Sequence, residues 1–139
     1  MTFYPATLQE LIDEFQEMDD KRERLEYLFE LADEVNEFPT SQWSDLSRVR
    51  GCQSEAHVHV DVAEGLIHFQ AGADAKLVQG LMGVLTLALE GLAPAQALAI
   101  PPDFAQEMGL TNTLTPSRSN GFRNMFDKVM SEIRGQTEG

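Results

Sequence analysis

Residues 56–70 read AHVHVDVAEGLIHFQ, and their alternation decides the fold. Ala56, Val58, Val60 and Val62 alternate with His57, His59 and Asp61; beyond Glu64-Gly65, Ile67 and Phe69 alternate with Leu66, His68 and Gln70. A period of two on both sides of a turn dipeptide specifies a β-hairpin, here predicted over 55–71. With Glu64-Gly65 as a two-residue loop, Val62 faces Ile67 and Val60 faces Phe69, so turn and pattern demand the same register. One face of this hairpin is apolar and the other polar. The apolar face requires a helical cover.

Outside the hairpin the period becomes helical. From Asp74 to Glu90 the residues Leu77, Val78, Leu81, Met82, Val84, Leu85, Leu87, Ala88 and Leu89 leave hardly any polar side, as in a central buried helix. Gly80 and Gly83 inside it cost helix propensity, a cost compatible with close approach of a neighbouring element. Pro94, Pro101 and Pro102 then break the chain into short turns around Ala95–Ile100 and Asp103–Met108. A last amphipathic helix carries Phe122, Met125, Phe126, Val129, Met130 and Ile133 on one face.

Upstream, Thr7 and Glu10 have the spacing of a capping box ahead of Leu8, Leu11, Ile12, Phe15 and Met18. A second helix is predicted from Asp20 to Glu34, burying Leu25, Leu28, Leu31, Ala32 and Val35, and the two form a helical hairpin over 7–35. From Phe38 to Gln53 no period is sustained, and Pro39, Thr40, Ser41, Ser44 and Ser47 mark a long loop. Nothing resembles a repeat or a linker. Residues 1–139 therefore read as one α+β domain, a small antiparallel sheet packed against several helices, with those after the hairpin spanning 74–134.

Its 139 residues suit a single core without disulfides or a structural metal. A net charge of −13 repels phosphate backbones and anionic lipid, which excludes nucleic acid and membrane as partner classes. The longest uncharged run, Leu77–Leu89, falls short of the roughly 20 apolar residues of a membrane span. The first stretch lacks the basic start of a signal peptide, so the expected location is cytoplasmic. Residues 1–40 hold 12 acids against 3 bases. Solvated helix faces and a docking surface for a basic partner are both open readings of that segment.

Cys52 is the only cysteine, which rules out an internal disulfide, a zinc ribbon and a CxxC pair. Free cysteine packs well as a small hydrophobe, yet a thiol becomes a nucleophile near cationic groups. Here Arg48-Val49-Arg50-Gly51 precede it, and Arg118 lies in the turn TPSRS (115–119). Gly51 leaves the sulphur open to a large reaction partner. Local chemistry alone supports both a core thiol and a reactive one. Cys52 could also be drawn as a pair with His57 or His59, and His57, His59, Asp61 and His68 share the polar hairpin face as a conceivable metal site. No P-loop or GxGxxG is present to support a nucleotide function.

RGCQS (50–54) before the hairpin, GADAKLVQGLMGVL (72–85) and GLTNTLTPSRSNGF (109–122) before the last helix resemble, in order and spacing, the SufE family of sulphur-acceptor proteins. The resemblance runs from the paired N-terminal helices to about Arg134 and implies a SufE/IscU-like fold. It implies a sulphur carrier rather than an autonomous enzyme. Such a carrier takes persulphide sulphur from a SufS/CsdA-like, pyridoxal-phosphate cysteine desulphurase, stimulates that enzyme, and delivers the sulphur to an iron-sulphur cluster scaffold.

Cys52 matches the family acceptor, on an acceptor loop (38–53) that tucks it against an apolar hollow at rest and swings out when the desulphurase binds. Arg118 matches a family arginine near that loop, and Gly51, Gln53, Ser54 and Arg50 are the flanking residues expected to support the acceptor or meet the partner. Neither a cofactor nor a metal is implied on this chain. An apolar patch uncovered by loop movement suits either a homodimer or the heterologous complex. The family commonly has Val-Trp where this chain has Ala56-His57, so its first strand is more polar. Two rival readings are a non-catalytic acidic adaptor working through Glu14, Glu17 or Asp20, and a metal-binding hairpin.

Overall fold

The computed structural model describes residues 4–138. Its order is α1 (Ala6–Gln16), α2 (Lys21–Leu31), β1 (Ala56–Ala63), β2 (Leu66–Ala73), α3 (Lys76–Leu89), three short helices α4 (Pro94–Leu98), α5 (Phe104–Glu107) and α6 (Leu110–Thr113), and α7 (Pro116–Glu138). The chain is an α+β domain whose described sheet has two antiparallel strands.

The hairpin has the predicted register, with Val62 opposite Ile67 and Val60 opposite Phe69. Glu64 and Gly65 both have positive φ, 56° and 79°, as a type I′ turn requires. Val58, Val60, Ile67 and Phe69 are buried against α3 and α7, which supply the cover that the apolar face needs. On α7 the residues Phe122, Met125, Phe126, Val129, Met130 and Ile133 are all buried, as their spacing predicts.

A two-stranded sheet has two open edges, and here both are closed. Beside β1, the Val49 amide donates to Ala56 O (2.8 Å) and the Val58 amide to Ser47 O (2.9 Å). Further along, Gln136 of α7 donates to Val60 O and accepts from the Val62 amide. Beside β2, the Phe38 amide donates to Ala71 O, the Ala71 amide to Asn36 O, and the Phe69 amide to the Glu90 carboxylate. Ile67 pairs with the turn after α3, donating to Leu92 O and accepting from the Gly91 amide.

Two details of the N-terminal helices differ from the sequence pattern. Thr7 and Glu10 do not form a capping box: the helix starts at Ala6, and Pro5 is the N-cap without a side-chain bond. The Pro5 carbonyl accepts from the Gln9 amide at 2.9 Å, so Thr7 is already inside the first turn. In the second helix, Asp20 caps through the Arg22 amide (3.0 Å), but the α-helix stops at Leu31 and residues Ala32–Glu34 tighten into one 3-10 turn. The chain must become extended there, because Asn36 and Phe38 pair with β2. Only Leu28 and Leu31 of the predicted stripe are fully buried, while Leu25, Ala32 and Val35 are half-covered. Phe15 and Tyr27 rings meet at 5.3 Å, and the Tyr27 hydroxyl donates to Glu14, joining α1 to α2.

The glycines of α3 form the seat for α2. A methyl group on Gly80 would stand 2.1 Å from Leu28 O, and one on Gly83 would stand 2.0 Å from Leu31 O. Both contacts are with backbone, which cannot rotate aside. Replacing Gly80 with Ala gains helix propensity of about 1 kcal/mol, yet forces α2 outward. We expect a net loss of roughly 1–3 kcal/mol, measured by urea unfolding; a stabilised variant would contradict the close seat.

Candidate functional site

The stretch 38–53 has two parts with different roles. Residues 38–49 cross the outer face of the hairpin, where Phe38 stacks on His59 (5.2 Å between ring centres) and Trp43 stacks on His57 (4.4 Å). The Trp43 ring nitrogen donates to Phe38 O at 3.0 Å, which makes this crossing compact. Residues 50–55 then form the turn between Val49 and Ala56, and Cys52 lies on it, partly exposed.

Cys52 packs against α7. A methyl group on Gly121 would lie 3.4 Å from its sulphur and 3.9 Å from its Cβ, so the missing side chain at Gly121 makes the seat. Val78 and Leu81 of α3, together with Ser117, Arg118, Phe122 and Met125 of α7, complete the hollow beside Cys52 and Gln53. Its free volume is about 10 Å³, no more than one water needs. A separate groove of about 320 Å³ shares only Phe122 with it and does not include the thiol.

The start of α7 is built by Thr115-Pro116: Pro is at the first helical position, and the Thr115 hydroxyl accepts from the Arg118 amide at 3.3 Å. That start aims Arg118 at the cysteine turn, where its guanidinium donates to Ser54 Oγ at 3.0 Å. The other tie from α7 to the turn is Asn124, which donates to Gly51 O at 3.5 Å. Gly51 has φ of 80°, the left-handed conformation that suits glycine. Thus the base of the turn is held by strand-type bonds, whereas its tip is held by two side-chain hydrogen bonds and the packing of Cys52.

Of the residues singled out in sequence, Cys52, Gln53, Ser54 and Arg118 come together, with Gly51 shaping the turn. Arg50 is exposed and does not line the hollow; neither does Arg48, whose charge acts on Glu55 instead. Gly121 and Asn124 complete the arrangement and were not singled out. An interior helix glycine, at the end of the SRSNG stretch, was the available signal for Gly121.

The polar face of the hairpin is not simply exposed. His57 is only 2% accessible, because residues 38–49 lie over it. Its Nδ1 is 2.7 Å from Ser47 Oγ and its Nε2 is 2.9 Å from Glu55 Oε2, so it is no free partner for Cys52 or a metal. His68 Nδ1 is engaged by Glu90 at 3.1 Å. Among the described residues, no group of three or more His, Cys, Asp or Glu is placed to hold a metal ion. Glu55 is held below its ordinary carboxyl value of 4.5, first by the His57 hydrogen bond; partial desolvation acts the other way, and the charges of Arg48 and His57 add to the lowering.

Comparison with known proteins gives one consistent answer. The family described as "SufE: Fe-S metabolism associated domain" matches residues 9–133. An uncharacterised SufE-like protein of Synechocystis is 32% identical over 92% of this chain and 80% of its own length. An uncharacterised SufE-like protein of Mycobacterium tuberculosis is 31% identical over 94% of this chain and 93% of its own. The solution structure of a hypothetical protein from Thermus thermophilus aligns with a TM-score of 0.85 at 28% identity, covering 99% of this chain and 100% of that one. No described helix is long and apolar enough to cross a membrane.

Two outcomes test this geometry. Gly121→Leu should displace Cys52 and raise its alkylation rate severalfold, whereas Gly121→Ala, whose methyl meets sulphur at ordinary contact distance, should change it little. A lowered folded-state carboxyl value stabilises the fold fully above the unfolded value and ceases to do so as pH falls through the folded one. Wild type should therefore exceed Glu55→Gln in stability at neutral pH, and the gap should close below about pH 4.5. In a His57→Phe background most of that gap should be absent.

Proposed function

The chain belongs to the SufE family, and from that premise we propose that it is a sulphur carrier whose acceptor is Cys52. Membership associates it with iron-sulphur metabolism. The observation that supports the finer reading is the setting of the thiol: the only one in the chain, seated in a small apolar hollow on a turn whose base is strand-bonded and whose tip is held by two side-chain hydrogen bonds. The donor would be the persulphide cysteine of a cysteine desulphurase, and the recipient an iron-sulphur cluster scaffold.

Transfer is thiol exchange without net oxidation. The Cys52 thiolate attacks the terminal sulphur of the donor persulphide, a new Cys52–sulphur bond forms, and the donor sulphur–sulphur bond breaks. The donor cysteine leaves as thiolate, free to begin another cycle, which is how a carrier stimulates its desulphurase. Delivery repeats the step with an acceptor thiolate as nucleophile and Cys52 as leaving group. Pyridoxal phosphate acts in the desulphurase; this chain contributes a thiol and its presentation.

In the resting geometry the sulphur lies against Gly121, beside a hollow that Val78 and Leu81 also line, which limits the directions of attack upon it. For transfer, the tip must leave Arg118 and Asn124 while the base stays paired, so the required movement is small. Arg118 then has a guanidinium without its Ser54 partner, free to hold an anionic sulphur or a carboxylate of the partner.

Incubation with a cysteine desulphurase and cysteine should add one sulphur mass at Cys52, lost on thiol reduction. Cys52→Ser should neither gain mass nor accelerate the desulphurase, and stimulation by that variant equal to wild type would refute the carrier reading. Arg118→Ala should slow transfer by about tenfold, the worth of one hydrogen bond from a charged donor.

A further inference from the structure

We propose that His57 is the positioning residue of the cysteine turn, a clasp that joins Ser47 before the turn to Glu55 at its end and keeps the turn's base closed while its tip moves. The sulphur-carrier reading gives this clasp its purpose, but its existence rests on separate observations.

His57 lies at the start of β1, two residues after Glu55, and the strand bond from Val58 to Ser47 O brings Ser47 beside it. Both ring nitrogens are used, at 2.7 Å to Ser47 Oγ and 2.9 Å to Glu55 Oε2. A carboxylate only accepts, so Nε2 carries the proton directed at Glu55. Ser47 is itself bound into the preceding turn: its hydroxyl oxygen accepts from the Ser44 amide and is within 3.1 Å of Ser44 O. Each end of the clasp is thus anchored, for the Glu55 amide donates to Asp74 Oδ1 and the Asp74 amide to Glu55 O.

The ring has a built seat. Trp43 covers it at 4.4 Å in a near-parallel stack of 17°. Gly72 is opposite His57 in the register, and a methyl group there would stand 3.0 Å from the Trp43 ring and from Phe38 O. Trp43 can reach across the hairpin only because Gly72 has no side chain. A buried polar ring costs stability unless its polar atoms are paired. Pairing both nitrogens to the two flanks of one turn converts that requirement into control of the turn.

The alternative is that His57 merely fills space beneath Trp43, and the two readings order substitutions oppositely. A space-filling site tolerates Phe better than Gln, because Phe keeps the stack and adds no polar atom. A clasp favours His over Gln, which can still reach one partner, and Gln over Phe, which reaches neither. The measurement is alkylation of Cys52 by iodoacetamide in the isolated, folded chain without denaturant, with urea midpoints recorded alongside.

We expect His57→Phe to raise the alkylation rate by about tenfold, a factor corresponding to loss of one hydrogen bond to a charged group, with His57→Gln between it and wild type. Ser47→Ala combined with His57→Phe should add little to His57→Phe alone. A His57→Phe rate equal to wild type, or lower than that of His57→Gln, would overturn the clasp. Because no desulphurase is present, such a failure leaves the carrier reading standing; absence of persulphide on Cys52 would sink that reading and leave the clasp intact.

Discussion

Backbone groups on the two free edges of a lone hairpin must find partners, and most of this molecule is arranged by how they do so. On one side the segment after α2 supplies Asn36 and Phe38, and the turn after α3 supplies Gly91 and Leu92. On the other side Ser47 and Val49 run against β1, and Gln136 of α7 finishes the edge where that segment ends. Residues 36–49 consequently begin on the β2 edge and end on the β1 edge, passing over the outer face between them. Cys52 occupies the turn that this path creates.

Such an origin sets how the thiol is held. Its turn inherits a rigid base from strand-type pairing, and the same pairing leaves the tip without backbone partners of its own. From α7, Arg118 and Asn124 hydrogen-bond to that tip, and Gly121 seats the sulphur itself. Local opening free energies fall where few backbone bonds hold a segment, and the proposed carrier role puts the movement at this tip, against the packing of the sulphur in its hollow. The proposed exchange needs no more than that.

Glycine inside helices is used twice, for different ends. On α3, Gly80 and Gly83 let the Leu28 and Leu31 carbonyls come within van der Waals reach of the helix backbone, which fixes the N-terminal helices to the core. On α7, Gly121 leaves room for a sulphur atom rather than another helix. The first pair seats a helix and the last one seats the thiol. Similarity to a solved structure over almost the whole chain, with a TM-score of 0.85, shows that this framework is not peculiar to one sequence.

Local pattern was enough for the hairpin register, the buried faces of α3 and α7, and the breaks at the prolines. Those properties depend on residues close in sequence, whose periodicity reports directly which side is buried. It was not enough for His57, which alternation assigns to an open polar face and the fold covers with Trp43. Nor did it locate the N-terminal cap, since the Thr7 and Glu10 spacing is outweighed by a helix that starts after Pro5. The neighbours of Cys52 were decided only in three dimensions: Arg118 and Gly121 come from a helix nearly half the chain away, and no spacing rule links them to a turn at 50–55. Sequence by itself determined the hairpin, the buried faces of the long helices and the presence of a single thiol, while tertiary packing decided what surrounds that thiol, because contacts between distant segments follow from edge pairing and helix approach.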